Sequence, residues 1–337
     1  MLFSALQDHV AFGTVMQFPR RGFLTLAAGA LAMPAIARRA LAQDYPARPV
    51  RILVGYSAGG VSDILARLLA QRLAERLGQP FVVENRPGAG SNIATEAVVR
   101  AAPDGYTLLL AGIVNAINGA LYKDLNFSFT RDAAPVALVS RSPLVMEVNP
   151  SFPAKTVPEF IAYAKAHPGA INMACAGIGG ATHLSGVLFQ MMTGTKMVTV
   201  AYNGSPPADA DLMAGRTQVM FDNVAPSLPL IVAGKLRALA ITTPIAGLPD
   251  VRAISEFVPG YASDVWNGIV APKNTPAAVI DKLNGALVTI MADPKVKAQM
   301  TAMGNTAISS SPAAFAQLIA ADSVKWAKVV EFADIKP

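Results

Sequence analysis

Gly55-Tyr56-Ser57-Ala58-Gly59 spells G-x-S-x-G. That spacing sets a serine nucleophile on a sharp turn between a strand and a helix. The flanks suit it. Val50–Val54 reads as a buried strand, and a helix is expected over Ser62–Leu77. A serine hydrolase also needs a histidine base late in the chain and earlier strands to supply an oxyanion loop. Here Ser57 follows the first strand, and no histidine occurs in the more than 150 residues after His183. Binding is the stronger reading of the same residues. In the expected binding loop Tyr56, Ser57, Ala58, Gly59 and Gly60, the small side chains from Ser57 on let backbone N–H groups approach an anion at a helix N-terminus. Asp63 falls in the first turn of that helix, where a carboxylate repels an anion directly. Its expected part is to favour the helix dipole or to hold a water.

Gly177-Ile178-Gly179-Gly180-Ala181-Thr182 repeats the device further along. Thr182 stands where a dinucleotide fingerprint has its third glycine, and no acidic residue follows at the expected distance. Gly177, Gly180, Ala181 and Thr182 are therefore expected to form a second anion cradle. Two such helix N-termini can hold a dicarboxylate without a buried arginine. Each charge-assisted N–H contact contributes roughly 1.5–3 kcal/mol. Asn115 follows a strand, Tyr202 and Asp222 stand at the ends of strands, and all three are expected to face the ligand. Their structural alternatives are a turn residue, a hairpin-like turn and a helix cap. His183 is expected to pack or cap, Cys175 to be buried and inert, and Arg86 to join an ion pair. A single cysteine and three histidines exclude an intramolecular disulfide and leave no Cys/His metal set. No catalytic residue, cofactor or metal is expected.

The elements that must position these residues follow from the hydrophobic pattern. The chain has 337 residues, 53% of them hydrophobic and 15% charged. That excludes a disordered chain and suggests two domains. Strands are expected at 50–54, 81–84, 107–111, 144–148, 171–174, 198–202, 219–222, 238–242 and 268–271. Helices are expected at 62–77, 92–101, 158–167, 182–193, 276–293, 294–303 and 312–330. Alternating strands and helices imply parallel sheets with helices on their faces. The pattern restarts after Pro143. It predicts one lobe from 43–143 plus 268–337 and a second from 144–267, joined by two crossing strands around an interlobe cleft.

Pro19-Arg20-Arg21-Gly22-Phe23-Leu24 is a twin-arginine pattern. An apolar run over Leu24–Ala37 and a small-residue site at Ala40-Leu41-Ala42 follow it. This order describes a secretory leader over residues 1–42, with a mature chain beginning near Gln43. The net charge is +6, and half of it lies in that leader. No later segment gathers Lys and Arg into a stripe, so nucleic-acid binding is not expected.

Motifs along the mature chain give a more specific indication. They include Tyr45-Pro46, Gly59-Gly60 with Asp63, Glu84-Asn85-Arg86-Pro87-Gly88-Ala89-Gly90 and Pro103-Asp104-Gly105-Tyr106-Thr107. Further on are Gly177–Leu184, Tyr202-Asn203-Gly204, Ala233-Gly234-Lys235-Leu236-Arg237 and Ala271-Pro272. Over about residues 45–330 the chain resembles the periplasmic substrate-binding receptors of tripartite tricarboxylate transporters, the Bug type. It departs from their pattern at Ala58, Arg252, Ala253 and Phe257. The resemblance implies an α/β, two-lobed binding protein of the type II-like Venus-flytrap class. It also implies a periplasmic location, a small carboxylate ligand (dicarboxylate, tricarboxylate, acidic amino acid or aromatic acid) and membrane permease subunits as partners. A monomer is expected. The alternatives are a periplasmic serine hydrolase using Ser57 and a ligand sensor for a signalling partner.

Overall fold

The computed structural model describes residues 45–335. The expected leader over residues 1–42 and its expected cleavage site lie outside the described residues.

Strand β1 (Val50–Val54) forms from a run in which Arg51 alone is exposed, the signature of a strand covered on both faces. Helix α1 (Val61–Leu77) buries Leu65, Leu68, Leu69 and Leu73 and ends at Gly78. Gly78 adopts a left-handed φ of 74° and returns its N–H to Ala74, as helix-ending glycines do. Ile64 is 47% exposed. β2 (Phe81–Asn85), α2 (Asn92–Val99), β3 (Thr107–Gly112) and α3 (Ile113–Leu121) complete the first run. A short α4 (Phe129–Asp132) precedes β4 (Ala133–Ser142).

Next come β5 (Leu144–Val148), α5 (Val157–Ala166), β6 (Asn172–Cys175), α6 (Ala181–Thr193), β7 (Val198–Ala201) and α7 (Ser205–Met213). β8 (Val219–Asn223), α8 (Val224–Val232) and β9 (Arg237–Ile241) follow. The chain closes with β10 (Val265–Pro272), α9 (Ala277–Ala292), α10 (Pro294–Ala302), β11 (Thr306–Ala307) and α11 (Pro312–Phe332).

The strands make two mixed sheets. One has the order β11-β4-β10-β3-β1-β2 and the other β7-β6-β8-β5-β9. The chain passes from the first sheet to the second through Pro143 alone, between β4 and β5. It returns over residues 242–264, ahead of β10. The sheets share one plan. In the first, β1 lies between β2 and β3, parallel to both, and β10 runs antiparallel beside β3. In the second, β6 lies between β7 and β8, parallel to both, and β5 runs antiparallel beside β8. β1 and β6 are thus equivalent strands. Each is the point where the winding of its sheet reverses, which opens a crevice at the carboxyl end of the strand.

Six elements, α3, α4, β4, α7, α8 and β11, escaped the sequence reading, and four of them have a local cause. α3 follows β3 with no intervening turn residue. β4 carries Pro135 within it. α7 starts with Pro206-Pro207, which a first helical turn tolerates because its N–H groups have no helical acceptor. α8 holds Pro229 internally. One hydrophobic cluster runs through both halves, from Leu53 and Leu109 to Phe160, Phe189, Phe221, Trp266, Phe315 and Trp326. Trp266 meets Phe315 edge-on at 5.4 Å, and its indole N–H donates to the buried Asp322 at 2.6 Å.

Candidate functional site

The loops that leave β1 and β6 are built alike. Gly59 and Gly179 both adopt left-handed φ, 83° and 74°, a conformation that costs glycine nothing. Gly60 and Gly180 are the extended N-caps of α1 and α6, with φ/ψ of −77°/168° and −80°/172°. Ile64 N–H donates to Gly60 O at 3.0 Å and Leu184 N–H to Gly180 O at 2.9 Å. Arg86 N–H bonds Val54 O and Tyr202 N–H bonds Cys175 O, which ties the next loop to each strand end. The first-turn N–H groups of both helices have no helical acceptor. They carry the positive end of the helix dipole toward the loop.

A side chain four residues after each left-handed glycine locks the turn. Asp63 Oδ2 accepts from Gly59 N at 2.9 Å and from Arg67 Nε at 2.9 Å. Its Oδ1 accepts from Asn85 Nδ2 at 3.0 Å, and the same amide nitrogen donates to Tyr56 O. Hydrogen bonds from Arg67 and Gly59 hold the Asp63 carboxyl down at about 2. Asp63 is therefore committed to bracing its own loop. In the second loop the partner is His183, whose Nδ1 accepts from Gly179 N at 3.1 Å. Spacing alone pointed to this pair, because Gly59-Gly60-Val61-Ser62-Asp63 aligns with Gly179-Gly180-Ala181-Thr182-His183. The sequence reading treated His183 as a lone residue and missed it. Thr182 is buried, and its hydroxyl accepts from Ala176 N at 3.0 Å.

Tyr56, Ser57, Ala58, Gly59 and Gly60 are exposed. Gly177, Gly180 and Ala181 are half-buried, and Ile178 at the tip of the second loop is 54% exposed. A Cβ on Gly179 would meet Leu121 Cδ2 of α3 at 3.1 Å, so the second-sheet loop abuts the helix that follows β3.

Three expected ligand contacts have hydrogen-bond partners within the chain. Asn115 lies inside α3 and is buried. Its Oδ1 accepts from Gly112 N at 2.8 Å and its amide donates to Thr95 Oγ1 at 2.7 Å, so it caps its helix. Tyr202 donates its hydroxyl to Asp211 Oδ2 at 2.8 Å, and Asp211 is also paired with Arg216. Asp222 is fully buried, with Oδ1 accepting from Ser205 Oγ at 2.8 Å. It stands beside Glu147 and Asp209, and carboxylate oxygens of the three lie within 4.8 Å of one another. An all-carboxylate group drawn from positions 147, 209 and 222 has no cysteine or histidine spacing to signal it. Of the described histidines, His167 bonds Tyr163 O and His183 bonds Gly179 N; neither is hydrogen-bonded to Ser57.

The imidazole of His183 must be neutral at Nδ1 to accept the Gly179 N–H. Burial pushes its pKa down from 6.5 to about 4. The unfolded chain takes up this proton as pH falls through about 6.5 and the folded chain does not, so stability falls as pH drops from there toward 4. Thermal unfolding between pH 7 and pH 4 should show this slope in the wild type. It should be reduced in His183→Asn, whose amide oxygen can still accept from Gly179. Other titrating groups contribute to both proteins and cancel in the difference. Equal slopes would contradict the neutral-imidazole assignment.

Comparison with known proteins places this geometry in context. A family model described as the tripartite tricarboxylate transporter family receptor matches residues 65–335. The structure of the periplasmic binding protein BugD is 34% identical, covers 87% of this chain and 99% of its own, and superposes with a TM-score of 0.67. An R. palustris protein solved with adipate is also 34% identical, at 87% and 100% coverage and a TM-score of 0.71. MatC from Rhodopseudomonas palustris, solved with bound malate, is 31% identical, at 85% and 100% coverage and a TM-score of 0.68.

Proposed function

The chain belongs to the tripartite tricarboxylate transporter receptor family, a family of periplasmic solute-binding receptors, and from that premise we propose that it captures a small aliphatic dicarboxylate between its two lobes. One carboxylate rests on the Tyr56–Gly60 loop and α1, the other on the Gly177–Thr182 loop and α6. The observation that carries this reading is the matched pair of loops, each locked by its own brace. A ligand with two equivalent anionic ends suits two equivalent cradles. Adipate and malate, named with two of the related structures, each carry a carboxylate at both ends. Lobe closure excludes water and strengthens each N–H contact. The lobes comprise 43–143 with 268–337, and 144–267. The leader exports the chain by the twin-arginine route, and the loaded receptor delivers its ligand to a membrane permease.

The test is thermal unfolding and calorimetry on residues 43–337 with mono-, di- and tricarboxylates. A dicarboxylate at 100 times its Kd should stabilise by about 2.7 kcal/mol, a rise of several degrees. The ligand should be recovered chemically unchanged. Ser57→Ala should lose at most modest affinity. Turnover of the compound that disappears in Ser57→Ala would replace this reading with a serine hydrolase.

A further inference from the structure

The second sheet carries an acidic group that the carboxylate-binding loops do not use. Glu147 of β5 pairs across the ladder with Met220 of β8, and Val145 with Asp222. Glu147 and Asp222 therefore stand on one face of the sheet, two residues apart. Helix α7 covers that face through Ala208 and Leu212, which pack with Met220 and Ala174, and it adds Asp209. Glu147 and Asp222 are 0% exposed and Asp209 is 5% exposed. Carboxylate oxygens of all three lie within 4.8 Å of one another.

Their surroundings lack positive charge. None of the three forms an ion pair with Lys, Arg or His among the described residues. One oxygen of each has no hydrogen-bond partner at all: Glu147 Oε2, Asp209 Oδ1 and Asp222 Oδ2. Orphaned buried carboxylate oxygens are rare and costly unless something outside the chain satisfies them. A second oxygen on two of the three is bonded to a hydroxyl. Ser227 Oγ donates to Glu147 Oε1 at 3.1 Å, and Ser205 Oγ donates to Asp222 Oδ1 at 2.8 Å. Outer hydroxyls of this kind fix the orientation of metal-ligating carboxylates.

We infer that Glu147, Asp209 and Asp222 form a binding site for one divalent cation of the calcium class. The donors are all oxygen, which selects a hard cation over zinc or copper. Calcium accepts mono- or bidentate carboxylates at about 2.3–2.6 Å in flexible geometry. Oxygens on one such ion are at most about 5 Å apart, which matches the observed cluster. Magnesium demands near-ideal octahedral geometry and keeps several waters, for which a site this buried leaves little room. The bound ion would join β5, β8 and α7. Since α7 begins directly after Tyr202-Asn203-Gly204, it would also fix the loop at the end of β7. The site does not depend on which ligand fills the cleft.

The test uses residues 43–337 stripped with a chelator and followed by calorimetry and thermal unfolding. Calcium should bind at one ion per chain and raise the melting temperature by several degrees at millimolar concentration. Sodium should leave it unchanged. Glu147→Leu and Asp209→Leu, which fill the volume without charge, should each abolish the response. Should either fail to fold, Glu147→Gln serves in its place and should weaken calcium binding at least tenfold. Glu331→Gln, on the exposed side of α11, should respond like the wild type. Absence of any calcium response in the stripped wild type would overturn the site and leave three carboxyl groups that share protons. A response to magnesium alone, or one that survives Glu147→Leu, would overturn it as well.

Discussion

Phe189→Ala is expected to destabilise the protein by about 3–5 kcal/mol, the range for emptying a fully buried aromatic site. Phe189 is 0% exposed. Its ring lies 6.0 Å from Phe160, 5.4 Å from Phe221 and 6.3 Å from Tyr261. These neighbours belong to α5, to β8 and to the return connection, so one side chain joins three separate segments to α6. Such mixed anchoring restricts collapse into the void, which places the cost near the upper end. The denaturant midpoint should fall with its slope unchanged, and the melting temperature should fall by on the order of 10 °C. Phe332→Ala is the contrast. Phe332 is 56% exposed, and its removal should stay within about 0.5 kcal/mol. A loss below about 1 kcal/mol for Phe189→Ala would mean that the aromatic cluster does not hold α6 in place.

Asp63→Ala should lower affinity for the dicarboxylate by about 10- to 100-fold, or about 1.4–2.7 kcal/mol. The carboxylate gathers Gly59 N, Arg67 Nε and Asn85 Nδ2 around one point. Without it the left-handed turn at Gly59 has no side-chain restraint, and the ligand must order the loop on binding. The effect should appear mainly in the dissociation rate. Fold stability should fall by only about 1–3 kcal/mol, because Arg67 is half-exposed and water screens its share. Asp63→Asn should recover part of the loss, since an amide oxygen can accept from Gly59. The charged form is favoured in the folded chain, where the carboxyl sits at about 2 and not 3.8. Its contribution is therefore complete above about pH 4 and is lost as pH falls through 2. Affinity in Asp63→Ala equal to wild type would show that the ligand does not rest on this loop.

The two predictions test different levels of the sequence's information. Phe189 falls in the helix expected over 182–193 and observed over Ala181–Thr193. The part played by Asp63 was not legible in the sequence, because its three partners lie at positions 59, 67 and 85 and meet only once β2 has paired with β1. Asn115 shows the reverse failure. As a polar residue after a strand it read as facing the cleft, yet α3 begins immediately and turns its amide inward to Gly112 and Thr95. Asp222 was expected at the cleft as a polar residue at a strand end, and α7 covers it instead. That helix opens on two prolines, which at sequence level argue against a helix.

Most of the strands and helices followed from the sequence by itself, because hydrophobic period and glycine punctuation are local properties that survive without tertiary context. The two glycine loops and the family resemblance were legible for the same reason. Tertiary structure decided what no local pattern carries: the shared plan of the two sheets, the approach of Asn85 to Asp63, and the meeting of Glu147, Asp209 and Asp222. The reason is physical. Each of these depends on strand pairing between distant segments, and a side chain's partners across a sheet are set by register and burial, not by its neighbours in sequence.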